Sequence, residues 1–230
     1  NQGVIRYREG IRATYTTADG LGTNAVLALH EDRDGTLWIG TEYEGLNRMA
    51  GGAITRLTTD EGLSHNVVEA LTQGREGGLW IGTAGGGLNR LRDGKFTTYT
   101  TREGLGRDQV YTVSEDASGH IWVGTEGGGV SRLEDGAVAA TYTTEQGLAS
   151  NVVTAVAGSR DGSVWVGTLR KGLHRLIDGR IQHVTPDDGL LSPAIYGLFE
   201  DQRGTLWIAT GKGLVRYRND TFTSFTTEDG

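Results

Sequence analysis

The sequence contains no cysteine, only two prolines and few basic residues. Without cysteine there is no disulfide framework and no thiol chemistry, a composition that fits the cytosol or the periplasm. No apolar run approaches the roughly 18 residues a spanning helix needs, so direct membrane insertion is not expected. Lys and Arg number 22 against 29 Asp and Glu, a formal net charge of −7 with no basic stripe. That balance argues against nucleic acid as a partner. The histidines are His30, His65, His120, His174 and His183, each at a different place in the pattern described below. They are therefore not expected to converge on a metal or a His-based triad. No Gly-x-Ser-x-Gly nucleophile motif occurs. No catalytic residue, metal ligand or cofactor is implied. The chain begins at Asn1 with neither Met nor a secretory leader, and reads as a mature or excised piece.

Glycine, by contrast, is abundant: 38 residues, recurring periodically. This argues for repeated tight turns and against disorder. The period is carried by Trp38, Trp80, Trp122, Trp165 and Trp207, each followed by Ile or Val, then Gly or Ala, then Thr. A spacing of about 42 residues in a β-rich pattern marks stacked repeats. Five units follow, 21–62, 63–104, 105–147, 148–189 and 190–230, preceded by a half unit at 1–20. Each unit predicts a short apolar first strand (Ala25–Leu29), an Asp-Gly turn (Asp34-Gly35) and a second strand with the Trp. A Gly-rich loop then leads to a third strand (Leu88–Leu91), another Asp-Gly turn and a fourth strand (Lys95–Thr100). In the half unit the corresponding turn is Arg8-Glu9-Gly10. The Thr pairs, such as Thr58-Thr59 and Thr143-Thr144, read as part of the fourth strand. Three short connections and one longer crossover per unit describe a four-stranded antiparallel blade. The predicted fold class is all-β, a β-propeller of five full blades and a half-blade.

The repeat reads Gly62-Leu63, Asn66-Val67-Val68, Gly78-Leu79-Trp80-Ile81-Gly82-Thr83 and Gly87-Leu88-Asn89-Arg90, with an Asp-x-x-Gly turn in other copies. It resembles the two-component regulator propeller repeat over nearly the whole chain. The resemblance implies a sensor region of a bacterial hybrid signalling protein, periplasmic or extracellular, often tied to carbohydrate sensing. In that family the propeller belongs to a larger ectodomain followed by a membrane helix and an output domain, none of which this sequence contains.

The half unit supplies third and fourth strands while the last unit already has all four. Ordinary ring closure is therefore not expected. The chain reads as a fragment of a larger propeller of about seven blades, with self-association through the incomplete blade or an irregular closure as alternatives.

Repeated polar positions read as scaffold. The Asp32–Gly35 turn faintly resembles a calcium loop, but its carboxylates are not kept in the other copies, so it reads as a hairpin turn. Arg6, Arg48, Arg90, Arg132, Arg175 and Arg216 share one place in the third strand, and each is expected to lay its stem between blades and pair locally. The Gly85–Gly87 and Gly127–Gly129 runs precede strands, which excludes a helix-based phosphate cradle.

Function is left to the positions that differ between copies. One first-strand position reads Leu27, Glu69, Tyr111, Thr154 and Tyr196 while its neighbours repeat faithfully. The loops between second and third strands and the crossovers vary too, and both are expected at one mouth of the channel. The candidate ligand-binding residues are Tyr43, His65, Glu69, Arg107, Tyr111, Arg170, Lys171, Tyr196 and Lys212, for a small-molecule or oligosaccharide ligand. The leading reading is a non-catalytic sensor propeller. A lectin-like or protein-interaction propeller and a polysaccharide-cleaving enzyme are the alternatives. Nearly identical pockets between blades would favour the lectin.

Overall fold

Turn chemistry and the repeat period together account for the architecture. The computed structural model describes residues 3–8 and 11–229. Its strands are β1 (Val4–Arg8), β2 (Ile11–Tyr15), β3 (Val26–Glu31), β4 (Leu37–Thr41), β5 (Leu46–Ala50), β6 (Ala53–Leu57), β7 (Val68–Gln73), β8 (Leu79–Thr83), β9 (Leu88–Arg92), β10 (Lys95–Tyr99) and β11 (Val110–Glu115). They continue with β12 (Ile121–Thr125), β13 (Val130–Glu134), β14 (Ala137–Tyr142), β15 (Val153–Gly158), β16 (Val164–Thr168), β17 (Leu173–Ile177), β18 (Arg180–Val184), β19 (Ile195–Glu200), β20 (Leu206–Thr210), β21 (Gly213–Arg218) and β22 (Thr221–Phe225). β3–β6, β7–β10, β11–β14, β15–β18 and β19–β22 each make a four-stranded antiparallel sheet in chain order, and β1–β2 make a two-stranded one. The expected turn at Arg8-Glu9-Gly10 falls on Glu9 and Gly10, outside the described residues.

Two compact units carry the sheets. The first runs to Thr100 and takes in Asp108–Val110; the second comprises Thr101–Arg107 and the chain from Tyr111 onward. In the first unit, Trp38, Leu46, Leu63, Val68, Leu79 and Ile81 form one apolar cluster. In the second, Trp122, Val130, Leu148, Val153, Val164 and Val166 form its counterpart. The first four tryptophans of the series are buried, but Trp207 is only half-buried. It lies in the last sheet, where Phe199 and Phe225 are also exposed.

The glycine after each Trp-Ile/Val pair has a steric cause. A Cβ on Gly40 would stand 2.7 Å from Val68 Cγ1, and one on Gly124 would stand 2.6 Å from Val153 Cγ1. The first strand of the following sheet therefore packs directly on the glycine. In the last sheet the place is taken by Ala209, which is exposed.

The Thr pairs are not strand residues. The fourth strands end before them, and the pairs at Thr16, Thr58, Thr100 and Thr143 open short 3-10 turns such as Thr59–Glu61, with a simple turn at Thr226-Thr227. Thr58 N and Oγ1 donate to Glu61 Oε2 at 2.7 and 2.9 Å. Thr16 with Asp19, Thr143 with Gln146, Thr185 with Asp188 and Thr226 with Asp229 repeat this exchange. The competing principle is the capping box: Thr followed three residues on by Asp, Glu or Gln ties down orphan N–H groups better than another strand residue would. In the first unit and in the second, the crossover Asn then accepts from the chain just after the cap, as in Thr59 N to Asn66 Oδ1 (3.0 Å) and Thr144 N to Asn151 Oδ1 (2.7 Å).

Candidate functional site

The position that varies between copies is a β-bulge. In β3 against β4, Val26 pairs with Thr41 and Ala28 with Gly40, so Leu27 is the extra residue. Glu69, Thr154 and Tyr196 are the extra residues at the same place in β7, β15 and β19. A bulge residue is released from the ladder and its side chain is re-aimed. This accounts for Leu, Glu, Thr and Tyr all occurring between neighbours that never change character.

The loops between second and third strands lie beside the crossovers, as their sequence variation suggested. Gly45 N donates to Asn66 O (2.9 Å) and Gly87 N to Asp108 O (2.8 Å) in the first unit. Gly129 N to Asn151 O (2.9 Å) and Gly172 N to Pro193 O (2.8 Å) do the same in the second. Within each unit, successive sheets are thus joined by main-chain bonds along this edge.

In the first unit, Tyr43 is exposed and its hydroxyl donates to Glu42 Oε1 at 2.7 Å. That bond, with the charge of Glu42, pushes the Tyr43 pKa up. Glu69 is half-buried; burial first, then the Glu42 charge, raises its carboxyl above the ordinary range. Glu42 belongs to this group and was not among the predicted residues. His65 shapes the crossover itself, because its Nδ1 accepts from Val67 N at 3.1 Å. Ser150 Oγ and Ser192 Oγ hold the same crossover turn in the second unit.

In the second unit, Tyr196 is exposed and its ring passes close to Gly211, in the loop that also carries Lys212. These two predicted residues therefore share one corner. Arg107, Arg170 and Lys171 are exposed, and Tyr111 is half-buried. The carbonyl of Lys171 meets His183 Nε2 at 2.5 Å.

His174 and His183 do converge, contrary to expectation. They are cross-strand partners on β17 and β18, stacked at 4.5 Å with an interplanar angle of 4°. His174 is buried, and its Nε2 accepts from Ala149 N at 2.9 Å. Burial, then the neighbouring His183, lowers its pKa to about 4. This is a structural role. Asn47 accepts from Gly22 N and Asn89 from Ser64 N in the first unit, and Ser131 accepts from Gly106 N in the second, at the same place.

The repeated polar positions also have local explanations. Asp32 Oδ1 accepts from Asp34 N and Thr36 N, and its Oδ2 from the indole of Trp38 at 2.9 Å. Asp116 does the same with Trp122 at 2.8 Å and Asp201 with Trp207 at 3.2 Å. The turn carboxylate is thus a clasp between turn and tryptophan. The arginines of the third strand lie over aromatic rings, Arg90 over Trp80 at 5.3 Å and Arg175 over Trp165 at 5.2 Å. Arg90 is also paired with Glu76 at 2.6 Å, and Arg175 with Asp161.

Between successive sheets, clefts run from the Asp-Gly turns to the end of the fourth strand. Two lie in the first unit: about 660 Å³ between β3–β6 and β7–β10, and about 320 Å³ between β1–β2 and β3–β6. The second unit has one of about 270 Å³ between β11–β14 and β15–β18. They share a place in the repeat but are not alike in size, and nothing in the repeat pattern anticipated them.

The model of the two-component regulator propeller family matches the chain at residues 20–43, 62–85, 104–127, 147–170 and 189–212. No curated protein matches. Among solved structures, the extracellular domain of a putative hybrid two-component system from B. thetaiotaomicron is 28% identical, with a TM-score of 0.80. The alignment covers 92% of this chain but 30% of that one, so the chain spans under a third of that relative. A second such extracellular domain from B. thetaiotaomicron is 22% identical (TM-score 0.77, 92% and 32% covered). Virginiamycin B lyase from Staphylococcus aureus shares the fold at 16% identity (TM-score 0.78, 96% and 75% covered). Among the described residues no helix is long and apolar enough to cross a membrane.

Proposed function

Because the chain belongs to the two-component regulator propeller family, we propose that it is the signal-recognition part of a bacterial sensor, working outside the cytoplasm and without catalysis. The observation that carries this reading is the bulge. The ladder residues on either side are of one kind, whereas the bulge residue is Leu27, Glu69, Thr154 or Tyr196, and Tyr111 holds the same place in the sequence. A rigid frame whose bulge residue differs from sheet to sheet, next to variable loops, suits recognition of an irregular ligand. The tyrosines offer flat faces with a polar tip, and Arg107, Arg170, Lys171 and Lys212 add hydrogen-bond donors. That combination supports an oligosaccharide or small anion as the signal molecule. A set of repeated, equal pockets would have favoured a multivalent lectin, and the unequal clefts speak for a single specific site.

The test begins with a screen of oligosaccharides and small anions by thermal shift. Tyr111→Ala and Tyr196→Ala should each weaken binding of the hit by about 1–3 kcal/mol with the melting temperature kept. Unchanged affinity in both, with a loss from Lys95→Ala on a fourth strand instead, would place recognition elsewhere. Self-association through β1, which among the described residues pairs with β2 alone, is decided by the mass in solution.

A further inference from the structure

The three clefts differ for a reason that can be read from one repeat position. The last residue of the fourth strand lines each of them: Tyr15 in the cleft of about 320 Å³, Tyr142 in that of about 270 Å³, and Leu57 in that of about 660 Å³. Where the residue is Tyr142, its ring stacks on Trp122 at 5.7 Å and 26°; Tyr99 packs on Trp80 at 5.6 Å. Leu57 has no ring to lay over Trp38; Val184 has none either, but there Tyr217 meets Trp165 at 5.2 Å, whereas over Trp38 the space stays open. Only this cleft falls well inside the roughly 300–1,000 Å³ that small-molecule sites occupy.

Its floor is apolar: Trp38, Leu57, Leu79, Leu91 and Phe96. Its rim is charged in both senses, and ion pairing decides which charges remain for a ligand. Glu76 is paired with Arg90 at 2.6 Å, and Asp93 lies 3.8 Å from Arg92. Asp32 is occupied by the Trp38 indole and its own turn. Arg48 is different from its counterparts Arg90, Arg132 and Arg175: among the described residues it has no carboxylate partner, and it lies 5.9 Å from the Trp38 ring centre. Among the described residues Glu61 accepts hydrogen bonds from neutral donors, Thr58 N and Oγ1, both on Oε2; the nearby Arg56 acts on it through its charge but is itself paired with Glu44 at 3.0 Å. Arg48 is thus the cation without a carboxylate, and of the carboxylates without an ion pair, Asp32 has both oxygens engaged whereas Glu61 keeps Oε1 for a ligand.

We propose that this cleft binds a zwitterionic amino acid or short peptide with apolar side chains, its carboxylate on Arg48, its ammonium on Glu61 and its side chain on the Leu57–Phe96 floor. A simple anion would meet Glu61 with nothing to offer it, a simple cation would meet Arg48, and a sugar would leave the aliphatic floor unsatisfied. The lining of this site does not include Tyr111 or Tyr196.

The experiment is titration calorimetry of the 230-residue chain with Leu-Phe dipeptide. The controls are its N-acetyl form, its C-terminal amide and a neutral disaccharide. Binding of the dipeptide is expected, with each blocked form weaker by about tenfold or more, as for loss of one partner of a charge pair. Leu57→Tyr should abolish binding while leaving the fold intact, because Tyr99 and Tyr142 already occupy that place in other sheets. Arg48→Gln should weaken it by a similar tenfold, and Tyr196→Ala should leave it unchanged. No binding of the dipeptide, equal binding of the blocked forms, or binding that survives Leu57→Tyr in a folded variant overturns the proposal. Any of these results leaves the reading of the bulge residues standing.

Discussion

Trp80 and Trp122 hold the same place in two sheets, yet their indole N–H groups fare differently. Trp122 Nε1 donates to Asp116, whereas Gly74 stands where that aspartate would be and Trp80 Nε1 is buried with no partner among the described residues. Trp80 is nevertheless as deeply buried as Trp122. The difference separates two contributions that the repeat normally combines. The ring's packing between sheets is present in both, and the polar clasp is present in one. Packing alone therefore suffices to hold the ring, while the clasp adds a smaller increment and fixes the turn.

The largest expected effect comes from removing the shared contribution. Trp122→Ala should cost about 3–5 kcal/mol, read as a fall in the denaturant midpoint, and Trp80→Ala should cost nearly as much. A loss below about 1 kcal/mol in both would mean that the rings do not carry the packing.

A titratable residue extends the contrast to the third strands, where Asn47, Asn89, Ser131 and His174 each accept from a crossover amide, but only the histidine can change charge. Its pKa is 6.5 when unperturbed and about 4 in place. The folded state therefore disfavours the proton. The contribution is complete above pH 6.5 and is lost as pH falls from there towards 4, amounting to about 3 kcal/mol at about 1.4 kcal/mol per pH unit. Chemical denaturation of wild type and His174→Asn across this window should show a steeper acid loss in wild type. Parallel curves would contradict it.

Removing the clasp alone should matter less. In Asp116 burial pushes the carboxyl pKa up, but the Trp122 indole, then His120 and Ser118, outweigh this and hold it down. Asp116→Ala leaves a buried indole N–H unpaired and should cost about 1–3 kcal/mol, a loss absent from the corresponding change at Gly74. The smallest effect is a gain. Gly74→Asp supplies the missing acceptor to Trp80 and should raise stability by about 1 kcal/mol. A Cβ there would stand 3.0 Å from Trp80 Nε1, so destabilisation would show that the ring cannot move aside.

The sheets and their order were legible because the repeat shows the same turns, tryptophans and glycines five times. Other features left a signal that strand periodicity concealed. The Thr-x-x-Asp/Glu/Gln spacing was visible at Thr58 and Glu61 and meant a cap, not more strand. His174 and His183 are equidistant from the Asp178-Gly179 turn, which makes them cross-strand neighbours in a two-residue hairpin. The variable position was found, but the bulge behind it was not, since in a sequence an extra residue in a first strand looks like any other variable residue between apolar neighbours. The clefts could not be read at all. Their size depends on whether a ring meets a tryptophan across a sheet, and a Leu in a place otherwise held by Tyr, Val and Phe looks like an ordinary apolar substitution.

The bonds from Gly45 to Asn66 and from Gly129 to Asn151 join backbone to backbone. In evolutionary terms, this makes the loop edge easy to vary. Side chains there can be exchanged without breaking the seam that holds successive sheets together, so substitutions along the edge draw little on a marginal stability reserve. A family of propellers built this way can diversify its loop surface one residue at a time, without first acquiring compensating mutations in the core.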